Sequence, residues 1–208
     1  MRVAAGRLAV WLEMGGHAVL RDDLRALRTS AAAVRDCDVL LAADAPEPFA
    51  ARLRERRDAA RVAMVAHLRG RHVRALRLAL GLLPAIDRGA AEGSLARFRA
   101  RVLRRGDRLA GAATPHDEEF HAVRRALRKL RYATEWLGHD AAPVKALQQT
   151  FGDLNDLVVE LRVLEETGAA ADLPEHADGL RRRIETLRRD ALRDWLASRP
   201  SIEGTESS

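Results

Sequence analysis

Several residue types are scarce in this 208-residue chain, and each scarcity excludes classes of protein. Cys37 is the only cysteine, which excludes a disulfide framework and a cysteine-based metal site and makes a reducing cytoplasm the expected compartment. Aromatic residues make up only 4%, so few rings are present to stack on nucleic-acid bases. The apolar runs are far shorter than the ~18 residues of a membrane span, and no cleavage site follows the first residues. We therefore expect neither membrane insertion nor a signal peptide.

The sequence also lacks the motifs of common catalytic sites. It has no nucleophile paired with a general base, no glycine-rich phosphate loop, and no histidine or cysteine cluster at metal-ligand spacing. We therefore expect a protein that is not an enzyme, that needs no cofactor and that has no metal site.

Alanine, leucine and arginine are abundant, and this composition favours helix nearly everywhere. Hydrophobic residues make up 47% of the chain and charged residues 32%, which is enough apolar surface for a real core. The predicted fold is an all-α helical bundle. A net charge of +6 indicates a polyanionic partner without identifying it.

Glycine and proline residues divide the chain into predicted helices. A connector at residues 113–117 is the predicted boundary between a first half, about 1–112, and a second half, about 116–199. Residues 200–208 are predicted to be a disordered tail. The predicted helices cover residues 2–13, 20–44, 47–83 with a break at Gly70, 91–112, a helix capped by Thr114 that ends at Gly138, 143–167 and 174–198.

Residues 121–135 are predicted to form a helix with one basic and one apolar face. At about 100° per residue, the basic side chains fall within an arc of roughly 160°. No acid lies in this arc before Glu135, so a bound anion explains the like charges more simply than a solvated face does. Glu135 is expected to hold Arg131 in one rotamer. The arc contains His121, Arg124, Arg125, Arg128, Lys129, Arg131 and Tyr132.

An internal repeat at an offset of roughly 120 residues is visible in the sequence. Asp36 and Asp156 occupy equivalent positions in it, each among apolar residues. Acids placed in this way usually have partners, so we expect them to brace arginines, the alternative being ordinary surface or helix-start acids. Two facing halves would bring the basic helix near residues 2–13, with Arg2 and Arg7, against the helix at 121–135. The matched segments are Leu24-Arg-Ala-Leu27 with Val144-Lys-Ala-Leu147, and Arg2 to Leu8 with Arg124 to Leu130.

Two motifs carry a resemblance to a known family. The run His121-x-x-Arg124-Arg125-x-x-Arg128-Lys129-Leu130-Arg131-Tyr132-x-x-Glu135 resembles the signature helix of the CHAD family, the conserved histidine α-helical domain. The run Leu147-x-x-x-Phe151-Gly152-Asp153-Leu154-Asn155-Asp156-Leu157 resembles its second-helix motif, which ends in Gly-x-x-Asn-Asp.

This resemblance implies two related helical halves with pseudo-twofold symmetry around a basic groove or pore, and binding of inorganic polyphosphate. It further suggests polyphosphate granules, granule proteins or a polyphosphate-metabolising enzyme as the setting. In the repeat, the counterpart of His121 would precede Met1 by two residues, so we expect the native chain to begin upstream. The expected polyphosphate contacts are Arg2, Arg7, His121, Arg124, Arg125, Arg128, Lys129 and Arg131, supported by Asp36, Tyr132, Glu135 and Asp156.

Two alternatives remain at this point. A basic helical protein binds DNA or RNA nonspecifically through phosphates. Asp153, Asp156 and Glu160 recur at the spacing by which helical enzymes hold divalent metal ions for diphosphates, although the few aromatic residues disfavour such an enzyme. The remaining histidines show no metal spacing. His67 and His72 lie among arginines that are expected to be mostly solvated.

Overall fold

The computed structural model describes residues 2–204, and within this range every regular element is an α-helix. The predicted all-α class is confirmed. None of the described helices combines the length and the apolar character needed to cross a membrane. The helices are α1 (Arg2–Met14), α2 (Ala18–Ala42), α3 (Glu47–Leu68), α4 (Arg71–Gly81), α5 (Arg88–Gly111), α6 (Asp117–Trp136), α7 (Ala142–Glu166), α8 (Ala169–Asp172) and α9 (Pro174–Glu203).

Most helix ends follow the glycine and proline signals. Gly16 and Gly138 follow α1 and α6 with φ of 76° and 77°, a left-handed conformation that glycine adopts without the steric penalty of a Cβ. Pro46 precedes α3, and Gly70 separates α3 from α4. The short helix α8 was not predicted. The sequence analysis placed no helix between residues 167 and 174, whereas in the structure Gly168 is followed by a single further helical turn.

The predicted cap of the basic helix is wrong by two residues. α6 begins after His116, not after Thr114, and the backbone N–H of His116 donates to the Glu119 carboxylate at 2.9 Å. A glutamate three residues into a helix commonly makes this contact. The acids of the first turn also interact favourably with the positive end of the helix dipole.

The predicted disordered tail begins too early. α9 continues through Pro200 to Glu203, because Ile202 is only 1% exposed and its burial stabilises one more turn. Residues 205–208 of the predicted tail lie outside the described residues.

The helices group into two compact units. One unit contains α1–α4 with Val163–Leu173, and its core includes Leu12, Leu24 and Leu76. The other contains Arg88–Arg162 with α9, and its buried residues include Phe98 and Trp195. The two units are defined by packing, whereas the predicted halves follow the sequence repeat. The predicted boundary at 112–116, the pseudo-twofold symmetry and the shared groove therefore stay predictions.

Candidate functional site

The basic helix α6 is fixed by contacts with α5, α7 and α9. Its first residue, Asp117, accepts a hydrogen bond from Arg188 of α9 at 2.5 Å. Arg105 of α5 donates to the backbone carbonyl of Ala122 at 3.0 Å. On the α7 side, the rings of Phe120 and Phe151 lie 6.2 Å apart between centroids. These contacts position α6 against α5, α7 and α9.

The basic side of α6 is largely covered by neighbouring helices. The side chains of Arg124 and Arg131 are each only 18% exposed. Tyr132, which helical geometry places in the middle of the basic arc, is 4% exposed and belongs to the core. A solvated arginine face would leave these side chains in water, so that interpretation does not fit α6.

Two acids lie beside arginines of α6, as the sequence predicted. Asp156 Oδ1 lies 4.0 Å from Arg124 Nη2, and Glu135 Oε1 lies 3.4 Å from Arg131 Nε. The Arg131 guanidinium carbon also lies 4.7 Å from the Tyr132 ring centroid, which favours a stacked rotamer. The contacts are present, and their function as braces for phosphate binding stays a prediction.

Arg125 differs from the other predicted contacts. Its side chain is 46% exposed, and it donates to Glu118 at 2.9 Å. Glu118 lies outside the basic arc considered in the sequence, in the first turn of α6. Arg125 is therefore partly neutralised within its own helix.

His121 makes a polar contact that the sequence motifs did not predict. Its Nδ1 lies 2.8 Å from Asn155 Oδ1. A carbonyl oxygen only accepts, so Nδ1 carries the hydrogen, and protonation of the ring would turn Nε2 into a second donor. Burial lowers the pKa of His121, the Asn155 hydrogen bond opposes this, and Arg125 adds to the lowering. The neutral form is therefore favoured at neutral pH, and a bound anion would favour the protonated form expected from the sequence.

A second basic face, on α5, was not predicted from the sequence. At about 100° per residue, five of its arginines fall within an arc of about 100°. Burial lowers the pKa of Arg105, and its neighbours Arg101, Arg125, Arg108 and Arg104 lower it further, although the guanidinium stays charged. The same helical periodicity would have found this face. Its arginines are Arg97, Arg101, Arg104, Arg105 and Arg108.

The α5 and α6 faces meet at Phe98. The Arg101 guanidinium carbon and the Lys129 ammonium nitrogen each lie 6.0 Å from the centroid of its ring. Arg128 lies half-buried one residue before Lys129 on α6. We call the cations of these two faces, together with His121, the α5–α6 basic surface. It consists of Arg97, Arg101, Arg104, Arg105 and Arg108 on α5 and of His121, Arg124, Arg125, Arg128, Lys129 and Arg131 on α6.

The remaining predicted contacts belong to the other compact unit. Arg7 on α1 and Asp36 on α2 are half-buried residues of the other compact unit. The side chain of Arg2 lies outside the described part of the structure. The structure therefore brings together the α6 residues and Asp156, while the contribution of Arg2, Arg7 and Asp36 stays a prediction.

The three acids considered for a diphosphate enzyme each contact a different side chain. Asp153 accepts from Gln149 at 2.7 Å, Asp156 lies beside Arg124, and Glu160 lies 3.1 Å from His176. Among the described residues, no group of three or more histidine, cysteine or acidic side chains is arranged to hold a metal ion. These three acids therefore do not form one metal-binding group.

Comparison with known proteins decides the family. A family model described as the CHAD domain matches residues 1–165. The chain belongs to the CHAD domain family. A crystal structure of the CHAD domain from the plant Ricinus communis is similar to it, with a TM-score of 0.70 and 26% sequence identity over 99% of this chain and 81% of that chain. No curated protein matches the sequence. The CHAD resemblance stated from the two sequence motifs is confirmed.

Proposed function

We propose that this CHAD domain binds inorganic polyphosphate without catalysing a reaction, and that the α5–α6 basic surface is the binding site. One observation carries the proposal: cations of two helices converge beside Phe98, where the Arg101 guanidinium carbon and the Lys129 ammonium nitrogen each lie 6.0 Å from the ring centroid. Assembling like charges in a folded protein costs free energy. A polyanion that bridges the two helices would offset this cost.

The chemistry of the side chains suits phosphate. Each guanidinium presents a planar set of donors that pairs with two phosphate oxygens, and its charge does not depend on pH in the physiological range. Partial burial of Arg124 and Arg131 strengthens such contacts, because fewer water molecules compete for the donors. A linear polyphosphate repeats its charge along its length and can therefore contact α5 and α6 at once.

Granule targeting follows as an extension of the same proposal. A domain that binds polyphosphate would associate with polyphosphate granules, with granule proteins or with a polyphosphate-metabolising enzyme. Nonspecific binding of nucleic acid through phosphates is the competing function.

A competition experiment tests the proposal. Labelled long-chain polyphosphate would be bound to the protein near physiological salt and challenged with double-stranded DNA at equal phosphate concentration. We expect unlabelled polyphosphate to displace the label and DNA to displace little of it. Complete displacement by DNA would reduce the protein to a general phosphate binder.

A further inference from the structure

We propose that the turn between α3 and α4 binds one transition-metal ion through His67 and His72. This site lies in the unit formed by α1–α4 and is independent of the proposed polyphosphate site. The histidines come from the last turn of α3 and the first turn of α4. In a continuous helix, two residues five positions apart do not lie on the same face, so this spacing alone does not predict a common metal ion. The break between the helices at Gly70 brings the two histidines together.

The imidazole nitrogens have the separation of a chelating pair. His67 Nε2 and His72 Nε2 lie 3.2 Å apart, with ring centroids 4.4 Å apart and ring planes at 58°. Two nitrogens bound to a tetrahedral zinc ion at 2.0–2.1 Å are separated by about 3.3 Å. The separation of the two nitrogens therefore matches that of a pair that chelates one metal ion. In the metal-free protein, one Nε2–H can donate to the other Nε2, and in the metal complex both hydrogens reside on Nδ1.

Gly70 makes this approach possible. Its backbone, with φ −63° and ψ 151°, is open to any residue, so conformation does not require a glycine here. A Cβ at this position would, however, lie 2.6 Å from His72 Cε1, 2.9 Å from His72 Nδ1 and 3.0 Å from the His67 backbone oxygen, so the observed position of the His72 ring depends on the absence of a Cβ. A larger residue would push the His72 ring away from its observed place beside His67.

The surroundings select the class of metal. Arg69 and Arg71 flank the turn as exposed residues, and their charge opposes any cation that is held by electrostatics alone. Magnesium and calcium prefer oxygen ligands, whereas zinc, nickel and copper form strong bonds to imidazole nitrogen. The site is therefore specific for transition metals, with water in the remaining coordination positions.

Zinc titration of untagged protein by calorimetry tests this site. We expect one zinc ion per chain, no competition from magnesium, and weaker binding at lower pH because protons compete for the nitrogens. His67→Ala and His72→Ala should each lower zinc affinity on the order of tenfold or more. The control His116→Ala removes an exposed histidine on another segment and should leave zinc binding unchanged.

Gly70→Ala is the sharper variant, because it keeps both histidines. Displacement of the His72 ring should weaken zinc binding while circular dichroism reports unchanged helix content. With copper(II) in place of zinc, electron paramagnetic resonance of the wild type should show two nitrogen ligands. Absence of zinc binding in the wild type, or wild-type affinity in the two histidine variants, would overturn the proposal. Wild-type affinity in Gly70→Ala would overturn the geometric basis given for it.

Discussion

Individual arginines of this protein differ widely in environment, and the difference predicts which of them bind the ligand. Arg124 is mostly covered and lies near Asp156. Arg54 and Arg57 on α3 are more exposed and pair with Glu47 and Asp58. Bulk electrostatics would treat the two sets alike, whereas a preorganised site would not.

We therefore expect Arg124→Ala combined with Arg128→Ala to weaken polyphosphate binding by about 1.5–3 kcal/mol for each charge-assisted hydrogen bond that the substitutions remove. The matched control, Arg54→Ala with Arg57→Ala, should weaken binding far less, because these more exposed charges act mainly through a screened field. Alanine favours helix, so both variants should fold. Affinity measured at two salt concentrations, with circular dichroism to monitor folding, distinguishes the cases. Equal weakening in the two variants would contradict the site assignment.

His121 should make binding depend on pH. Burial lowers its pKa in the free protein, and a bound phosphate favours the charged ring and raises that pKa. Binding therefore takes up a proton, so affinity rises as pH falls toward the lowered pKa of free His121, and the His121 contribution to affinity is lost as pH rises through the pKa of the complex.

His121→Gln removes the titrating group. The pH dependence of polyphosphate affinity should be smaller in this variant than in the wild type, and the comparison cancels titration of the ligand itself. Isothermal titration in two buffers of different ionisation enthalpy measures the proton uptake directly. Identical pH slopes in the two proteins would assign the effect to other groups.

At the crossing of α5 and α9, Gly106 lies directly against the ring of Trp195. Trp195 is fully buried, and a Cβ on Gly106 would lie 2.2 Å from two carbons of its indole ring. Glycine normally weakens a helix, so its presence in the middle of α5 is explained by this contact.

Gly106→Ala should destabilise the protein by about 1–3 kcal/mol through overpacking. The higher helix propensity of alanine should offset roughly 1 kcal/mol of this loss. Gly93→Ala in the same helix is the control. A Cβ there would lie 3.6 Å from Arg97, an ordinary contact, so this variant should gain about 0.5–1 kcal/mol. Urea denaturation measures both. A Gly106→Ala protein as stable as the wild type would show that Trp195 can move.

The sequence predicted the helices well because their ends depend on local residues. Gly16, Gly70, Gly138 and Pro174 each act within a turn of their own position. The end of α9 was missed because it depends on burial of Ile202, which is a tertiary contact. Periodicity placed Tyr132 in the basic arc, yet it could not show that neighbouring helices cover this side of α6.

The candidate site was predicted less completely than the fold. The basic arc of α6 and the contact of Glu135 with Arg131 were predicted from spacing, and the repeat predicted that Asp156 lies beside an arginine of a basic helix without identifying Arg124. The Asn155 contact to His121 joins residues 34 positions apart, and spacing alone does not reveal such a pair. The α5 arginines follow the same helical periodicity as those of α6, but they belong to neither of the two motifs and were not predicted.

Across the whole molecule, the number of arginines does not locate the site. The chain has 36 lysine and arginine residues against 30 acidic residues, and several arginines pair with acids of another helix. Arg52 bonds Asp172 at 2.6 Å and Arg56 bonds Glu166 at 2.7 Å, so basic residues of α3 help to hold their own unit together. The distribution of acids, more than the net charge of +6, distinguishes a packing surface from a binding surface.

Tyr132 is the only tyrosine of the chain, and it lies in the core with Arg131 over its ring. A sample prepared with isotopically enriched tyrosine therefore has one labelled ring, and its magnetic resonance spectrum needs no further assignment. The chemical shifts of this ring depend on the position of the neighbouring guanidinium. The protein thus contains a single-site spectroscopic reporter next to Arg131, with no residue added or replaced.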